Sequence, residues 1–154
     1  MQKLLLLFFL FTLVLSNSNL LKETKYCEVN NQKIQDKAKS LKKSSTLETA
    51  KNIYHFVQFE IAYEAYANTK KGALKTLNAR KGNCADQAHL LVALFRAAGI
   101  PARYVHGIGH YWTQCYVNNR YYDCDPTHKT HHIFGKRAND GKNARIQYLY
   151  ELKY

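Results

Sequence analysis

The feature that most constrains this chain is a glycine turn that leads through a cysteine into a long apolar run. Gly82-Asn83-Cys84 is followed directly by residues 85–100, most of which are Ala, Leu, Val, Ile or Phe. Their apolar positions form two stripes at helical spacing, and a helix that is apolar on several sides is usually buried. The pattern predicts a buried helix with a thiol in its first turn, ended by Gly99 and Pro101.

The flanking pattern predicts helices before this run and strands after it. Residues 31–44 have helical periodicity, and Ser45-Thr46-Leu47-Glu48 has the spacing of a capping box for a helix that ends near residues 59–61. A short helix begins at Gly72. The period then changes to two, which predicts strands over residues 102–106, 110–117 and 120–125, with a last strand over 144–150 and a loop over 127–143. Helices followed by an antiparallel meander predict an α+β fold.

The N-terminus resembles a secretory signal. Lys3 precedes the apolar run Leu4–Leu15, and Ser16 and Ser18 stand at plausible cleavage spacing. Because this run is shorter than the roughly 18 residues that a membrane span needs, an uncleaved anchor is the alternative rather than the expectation. We predict a signal peptide over residues 1–18, a lead-in and basic helix over 19–44, a catalytic domain over 45–154, and a secreted protein without a further membrane span.

The charge indicates what kinds of partner the chain attracts. The formal net charge is +12, and it falls to +11 when Lys3 is removed with the signal. Such a surface attracts anionic polymers, cell walls or lipid headgroups, although it also serves solubility alone. The sequence has no nucleic-acid-binding motif and no zinc-ligand spacing. We therefore expect a monomer that needs no metal or other cofactor and acts on a peptide or cell-wall polymer.

A two-residue turn predicts which side chains meet in the sheet. Asn118 and Asn119 tolerate positive φ and suit a hairpin, so Val117 should face Arg120. This register places His110 and Asp125 diagonally on one face of adjacent strands, ~7–8 Å apart between their backbones. An aspartate can then orient an imidazole, and the imidazole can reach Cys84 if that face packs on the buried helix.

These three residue types suit nucleophilic catalysis. A helix N-terminus and an imidazolium both lower a thiol pKa, and a carboxylate fixes the tautomer of the imidazole. Backbone N–H groups at the helix start could stabilise an oxyanion, and Asn83 or Gln87 could add a side-chain donor. Taken singly, a cysteine on an apolar helix is usually a core residue, and an aspartate before proline is usually a turn residue. The joint placement of the three favours catalysis.

The motifs around these residues resemble the transglutaminase-like superfamily. The resemblance runs from about Ile53 to Thr127, and its three parts stand in the family's order: Gly82–Leu91 continued by Leu94–Val105, then His110-Tyr111-Trp112, then Asp125-Pro126-Thr127. It implies a papain-like thiol fold with Cys84, His110 and Asp125 as the catalytic triad. Trp112 is a further candidate for substrate binding.

A closer resemblance is to the pseudomurein endoisopeptidases, which cut isopeptide bonds in archaeal cell-wall crosslinks. It is carried by Asn68–Ala73, Thr76–Arg80 and Arg103–Gly107. In that pattern His106 accompanies the strand without being catalytic. The chain departs from the pattern in two places. In the first, only Ile108 and Gly109 separate Gly107 from His110. In the second, Tyr111 stands where the pattern has a smaller residue, and by strand alternation the Tyr111 side chain should point away from the catalytic face.

The remaining cysteines raise the question of a disulfide. Cys115 and Cys124 have strand parity opposite to that of His110 and Asp125, and they are diagonal neighbours at the margin of bridging distance. We prefer this pair, with Cys27 bonded to either of them as the alternative. A secreted enzyme of this kind needs Cys84 to stay unbridged.

Three functions follow from this reading. The leading hypothesis is a secreted cysteine hydrolase that cleaves amide or isopeptide bonds. The second is a transglutaminase, which passes the same acyl group to an amine. The third is a secreted binding domain with a degenerate site, for which replacement of Cys84 would change nothing.

Overall fold

The computed structural model describes residues 18–69, 71–137, 141 and 143–152. The helices are α1 Gln32–Ser40, α2 Thr46–Glu60, α3 Gly72–Ala79 and α4 Cys84–Ala97. The strands are β1 Ala62–Tyr63, β2 Lys81–Gly82, β3 Ala102–Gly107, β4 His110–Val117, β5 Arg120–Cys124 and β6 Gln147–Leu149. Strands β1 and β2 form a parallel pair, and the other four form an antiparallel sheet in the order β5-β4-β3-β6. The α+β prediction is confirmed.

The predicted signal peptide lies outside the described residues apart from Ser18. Within the described ranges, no helix is both long and apolar enough to span a bilayer.

Helices α1 and α2 begin where local capping signals predict. Asn31 caps α1 through its side chain, and the Ser45 hydroxyl accepts the Glu48 N–H at 3.1 Å. Helix α1 ends at Ser40, four residues before the predicted end. The reason is tertiary, because α2 binds the backbone that would have continued the helix. Thr49 Oγ1 accepts the Lys43 N–H, and the Asn52 amide donates to the Leu41 carbonyl.

The turn before α4 requires a glycine. Arg80 ends α3 in the left-handed conformation at φ 57°, and the chain then forms the short strand β2. A Cβ at position 82 would lie 2.7 Å from Asp86 Cβ, closer than carbon atoms pack. Glycine therefore allows the chain to turn tightly against the first turn of the next helix, which sets the position of Cys84.

Helix α4 is the centre of the core, as its sequence predicts. Every residue from Ala85 to Arg96 is buried, and Gly99 follows the helix at φ +78°. Arg96 is buried with its guanidinium on backbone carbonyls, because it donates to Lys22 O, Ala102 O and Tyr150 O. This one side chain ties both terminal segments to the sheet beside α4.

The β4–β5 hairpin has the predicted register, with Asn118 and Asn119 at φ 50° and 61° and Val117 opposite Arg120. The condition stated for the sheet, that the face of His110 packs on the buried helix, is not met. Helix α4 covers the face that carries Thr113 and Cys115, and Thr113 Oγ1 donates to Ala88 O in that interface. The opposite face is buried at Trp112 and half-buried at Gln114 and Tyr116, so alternation alone does not tell which face meets the helix.

The C-terminal region provides one strand and a fixed loop. Strand β6 pairs with β3, which confirms the predicted last strand. In the predicted loop, Gly135 N–H donates to Asp123 O at 2.8 Å, and Ile133 and Lys136 form an isolated bridge. Residues 138–140 and 142 of that loop lie outside the described part of the chain. This loop folds back over β5, next to Asp125.

Candidate active site

Cys84 is the first residue of α4 and is half-buried. Asn83 caps the helix, and its Oδ1 accepts the Asp86 N–H at 3.0 Å. Burial raises the pKa of the Cys84 thiol, but hydrogen bonds from the His110 ring and from the N–H groups of Tyr111 and Ala85 outweigh burial, and the net pKa is lowered. A sulfur with three donors at a helix N-terminus favours the thiolate.

His110 is the first residue of β4 and lies between Asp125 and Cys84. Its Nε2 is 2.8 Å from Asp125 Oδ2, which leaves Nδ1 to bond the sulfur. Burial lowers the pKa of His110, but the hydrogen bonds and charges of Asp125 and Cys84 raise it to about 9. The arrangement stabilises an imidazolium beside a thiolate.

The predicted proximity of His110 and Asp125 is therefore present, but the sheet face does not bring them to Cys84. His110 opens its strand, so its ring can reach the sulfur past the end of the sheet. Ala88, one helical turn after Cys84, accepts a hydrogen bond from Thr113. Thr113 in turn lies three residues after His110. The helix and the strand thus run alongside each other with their starts together.

Asp125 is a buried carboxylate with a full set of donors. Its Oδ1 accepts the Thr127 N–H at 3.2 Å and the Thr127 hydroxyl at 2.7 Å. Its Oδ2 accepts both His110 and Arg137, and His132 Nε2 lies 3.5 Å away. Burial raises the pKa of Asp125, but the hydrogen bond and charge of His110, the hydrogen bond of Thr127 and the charge of His132 hold it well below its usual range. The carboxylate is ionised at any pH at which the protein would work.

The space in front of the imidazole is a small cleft of about 120 Å³, lined by Tyr63, His110, Thr127 and His128. Strand β1 contributes Tyr63, which is half exposed, and burial with the nearby charges of Cys84 and Asp125 raises its pKa. Gln58 fixes the opposite wall, because its amide donates to the carbonyls of both His128 and His132.

Comparison with known proteins identifies the family. A profile of the Transglutaminase-like superfamily matches residues 33–126, more than half of the chain. The chain belongs to the transglutaminase-like superfamily. A search of curated proteins finds no match.

Solved structures support the same fold. A candidate cysteine protease from Cytophaga hutchinsonii superposes with a TM-score of 0.67 at 24% identity, over 87% of this chain and 51% of that one. The periplasmic domain of TgpA from Pseudomonas aeruginosa, bound to ethylmercury, gives 0.57 at 19% identity, over 71% and 48%. The chain thus spans about half the length of these proteins. At such identities the likeness shows the transglutaminase-like fold, and the finer pseudomurein resemblance stays a prediction.

The side-chain donors suggested for an oxyanion have other partners in this transglutaminase-like domain. The Asn83 amide donates to Tyr66 O at 3.0 Å and to Asn68 O at 2.6 Å. The Gln87 amide donates to Gly82 O at 3.2 Å and Ala62 O at 3.4 Å. Both side chains are buried, and they hold the chain around Cys84 rather than pointing donors at the cleft.

Trp112, like Asn83 and Gln87, is buried and bonded to another partner. Its indole N–H donates to Asp123 Oδ1 at 2.9 Å, and only 2% of the residue is exposed. Its ring lies 5.9 Å from the ring of His110 at an interplanar angle of 25°. Trp112 therefore shields the histidine from water and does not offer a surface to a substrate.

Tyr111 lies closer to the site than the sequence predicts. By alternation its side chain is on the face opposite to Trp112, but α4 covers that face. Its ring stacks on His106 at 4.3 Å, and the nearby charge of Cys84 adds to burial in raising its pKa. The strand parity of Tyr111 is as predicted, and α4, which carries Cys84, packs on the Tyr111 side of the strand.

Asp86 is a site residue that the sequence reading missed. It is fully buried, and its carboxylate accepts the hydroxyls of Tyr66 and Thr69 and the N–H groups of Lys71 and Gly72. These bonds lower its pKa although burial raises it. An acidic residue in the first turn of α4 was the available signal. Its partners lie in a stretch without periodicity, and together they form the wall between β1 and α3.

The other cysteines lie in the core. Cys27, Cys115 and Cys124 are buried thiols, and Cys115 Sγ lies 3.9 Å from Cys124 Sγ. Their diagonal placement is as predicted, but no disulfide joins any cysteine of the described chain, so the bridge stays a prediction. Cys84 is a free thiol. Among the described residues, no group of three or more His, Cys, Asp or Glu side chains is arranged to hold a metal ion.

Proposed function

We propose that this protein is a cysteine hydrolase that cleaves amide bonds, with Cys84 as nucleophile, His110 as acid and base, and Asp125 as the group that orients His110. One observation carries the proposal. The imidazole is bonded by a buried carboxylate on one side and by a thiol at the start of a buried helix on the other. Side chains so arranged are suited to acyl transfer.

The first half of the reaction forms a thioester. The Cys84 thiolate attacks the carbonyl carbon and a C–S bond forms, while negative charge moves onto the carbonyl oxygen. The His110 imidazolium then gives its proton to the amide nitrogen, the C–N bond breaks, and the amine leaves. The N–H of Cys84 itself, at the first position of the helix, has no acceptor within the helix and is our candidate donor to the oxyanion.

The second half restores the enzyme. Neutral His110 takes a proton from water as the oxygen attacks the thioester carbonyl. The tetrahedral intermediate collapses, the C–S bond breaks, the carboxylic acid product leaves, and the proton remains on His110 beside the regenerated thiolate. Asp125 keeps its charge throughout and stabilises the imidazolium whenever it forms.

Three features support a more specific substrate, an isopeptide-linked wall peptide outside the cell. The resemblance to the pseudomurein endoisopeptidases concerns exactly such crosslinks. The N-terminal sequence resembles a secretory signal, and the charge of +12 favours an anionic polymer surface.

The test compares wild type with three variants, at Cys84, His110 and His106, on the same substrates. Purified protein is incubated with isolated wall material and with ε-acyl-lysine peptides, and released amine is measured with and without a fluorescent primary amine. We expect wild type to release amine, Cys84→Ala to release none, and His110→Asn to lose roughly 10³-fold in rate. His106→Asn is the matched control, because His106 lies on the neighbouring strand and stacks on Tyr111 away from Asp125.

The outcomes separate the three functions. Amine release that depends on Cys84 and His110 but not on His106 supports the hydrolase. Release of the amine together with transfer of the acyl group to the fluorescent amine, in place of a free carboxylic acid product, would identify a transglutaminase. Equal behaviour of wild type and Cys84→Ala on every substrate, with wall binding retained, would identify a binding domain and refute the proposal.

A further inference from the structure

Arg137 contacts the same carboxylate oxygen as the proposed catalytic histidine. Its Nε donates to Asp125 Oδ2 at 2.6 Å, and His110 Nε2 lies 2.8 Å from that oxygen. The arginine side chain is 3% exposed and the carboxylate is fully buried. Arg137 lies outside the stretch that matches the superfamily profile, residues 33–126, so its contact with Asp125 comes from this chain's own C-terminal loop.

The guanidinium also packs against the aromatic shield of the site. Its Cζ is 4.3 Å from the centroid of Trp112, and the Trp112 ring stacks against His110. Four side chains therefore form a closed ring of contacts: Asp125 to His110, His110 to Trp112, Trp112 to Arg137, and Arg137 back to Asp125.

The charges of His110 and Asp125 during the proposed cycle indicate a role for Arg137. In the proposed cycle His110 is positive before acylation and neutral after it has protonated the leaving amine. Without another cation, neutral His110 would leave Asp125 as a buried, uncompensated carboxylate, which costs several kcal/mol. The imidazolium would then hold its proton too firmly to act as an acid near neutral pH. Arg137 supplies a positive charge that never dissociates.

We propose that Arg137 is a positioning residue that serves as the permanent counterion of Asp125 and so lets His110 release its proton in each turnover. The inference rests on the proposed function of the triad. Arg137 does not touch the substrate in this role. It acts through Asp125, by keeping Oδ2 directed at His110 and by stabilising the carboxylate while the imidazole is neutral.

Other titratable and charged groups also face Asp125 and His110, and they must stay unchanged in any variant used as a test. They come from every neighbouring element: Tyr54 from α2, Tyr63 from β1, Cys84 from α4, Tyr111 from β4, and Cys124, His128 and His132 from β5 and the loop behind it. Among the described groups that contact the Asp125 carboxylate, Arg137 is the one arginine, a residue type that stays protonated in proteins.

The experiment measures the rate of Cys84 alkylation by iodoacetamide between pH 4 and 11 and needs no substrate. Peptide mapping confirms that the half-buried Cys84 reacts rather than a buried cysteine. Near-ultraviolet circular dichroism confirms the fold of each variant. The upper inflection of the profile, identified by its loss in His110→Asn, reports the pH at which His110 loses its proton.

Removal of the charge should move that inflection to higher pH. We expect Arg137→Gln to raise it by roughly one pH unit, because a cation a few ångströms away shifts a titration by this order. Arg137→Lys keeps the charge and should leave it in place. The matched control is Arg103→Gln, since Arg103 also stacks on aromatic rings, Tyr121 at 3.6 Å and Tyr148 at 3.9 Å, but does not contact Asp125.

The results decide between the proposal and its alternatives. A folded Arg137→Gln with the wild-type upper inflection overturns the proposal. If Arg137→Gln does not fold, Arg137→Lys decides: an unchanged inflection supports the counterion role, and a shift of a unit or more overturns it. Failure of the proposed function looks different, because wild-type Cys84 would then show a single inflection near the ordinary thiol value that His110→Asn does not alter.

Discussion

Replacement of Asp125 by asparagine tests the electrostatics of the site through protein stability alone. The change keeps the size of the side chain and removes its charge. The structure raises the pKa of the buried His110 from 6.5 to about 9, with Asp125 as the first favourable cause. At 1.36 kcal/mol per pH unit, that rise corresponds to about 3 kcal/mol of folding free energy, shared between Asp125 and Cys84. We therefore expect Asp125→Asn to lose up to about 3 kcal/mol.

The loss should depend on pH in a defined direction. Because the pKa of His110 is raised on folding, its contribution is fully present below pH 6.5 and disappears as the pH rises through about 9. Because the pKa of Asp125 is lowered, its contribution is present above the ordinary value of 3.8 and disappears as the pH falls below it. The difference between wild type and variant should be largest between these limits, from pH 4 to 6.5.

Urea unfolding at pH 5.5 and pH 9.5 measures this difference directly. Asp36→Asn is the matched control, because Asp36 is an aspartate on α1 whose carboxylate accepts an exposed hydrogen bond from Gln32. We expect that control to change stability by less than about 0.5 kcal/mol at both pH values. If Asp125→Asn has the same cost at pH 5.5 and 9.5, the ion-pair reasoning is wrong.

Two further predictions concern other buried groups. Burial lowers the pKa of His89 to about 3, so protonation of this histidine should cost the wild-type protein roughly 4 kcal/mol of unfolding free energy between pH 6.5 and 3. In urea unfolding, His89→Gln should remove this contribution to the pH dependence of stability. A pH dependence equal to that of wild type would contradict the assignment. Asp86→Asn removes the charge of the carboxylate that binds Tyr66, Thr69 and Lys71. The change should lower the free energy of unfolding by about 2 kcal/mol and expose residues 64–69 to limited proteolysis. A cleavage pattern equal to that of wild type would count against this role.

Local signals in the sequence were sufficient for the beginnings and ends of most elements. Ser45 caps α2 and Gly99 terminates α4 as predicted, because both act through bonds within a few residues. The predicted end of α1 is wrong for the opposite reason. Thr49 and Asn52 bind the backbone beyond Ser40 from another helix, and periodicity carries no record of such contacts.

The sheet shows where pattern reasoning succeeds and where it stops. Asn118 and Asn119 determine the register, and the register places His110 within reach of Asp125 at the observed 2.8 Å. The register alone did not show which face of β4 meets α4. Trp112 is buried on one face and Thr113 on the other, and Gln114 and Tyr116 on the Trp112 face are half-buried, so alternation does not identify the helix side near His110.

The opening feature, a cysteine delivered by a glycine turn to a buried helix, is what the sequence by itself determined, together with the pairing of His110 and Asp125. Both depend on spacing within one turn or one hairpin. Only the tertiary structure decided what surrounds them. Arg137 reaches Asp125 from an irregular loop 12 residues further along the chain, and Asp86 binds Tyr66 and Thr69 in an irregular stretch that lies before α3. Neither helical nor strand periodicity constrains the path of the chain in those two stretches. Contacts made by such segments depend on the packing of the whole domain, and those contacts hold the charges of this site in place.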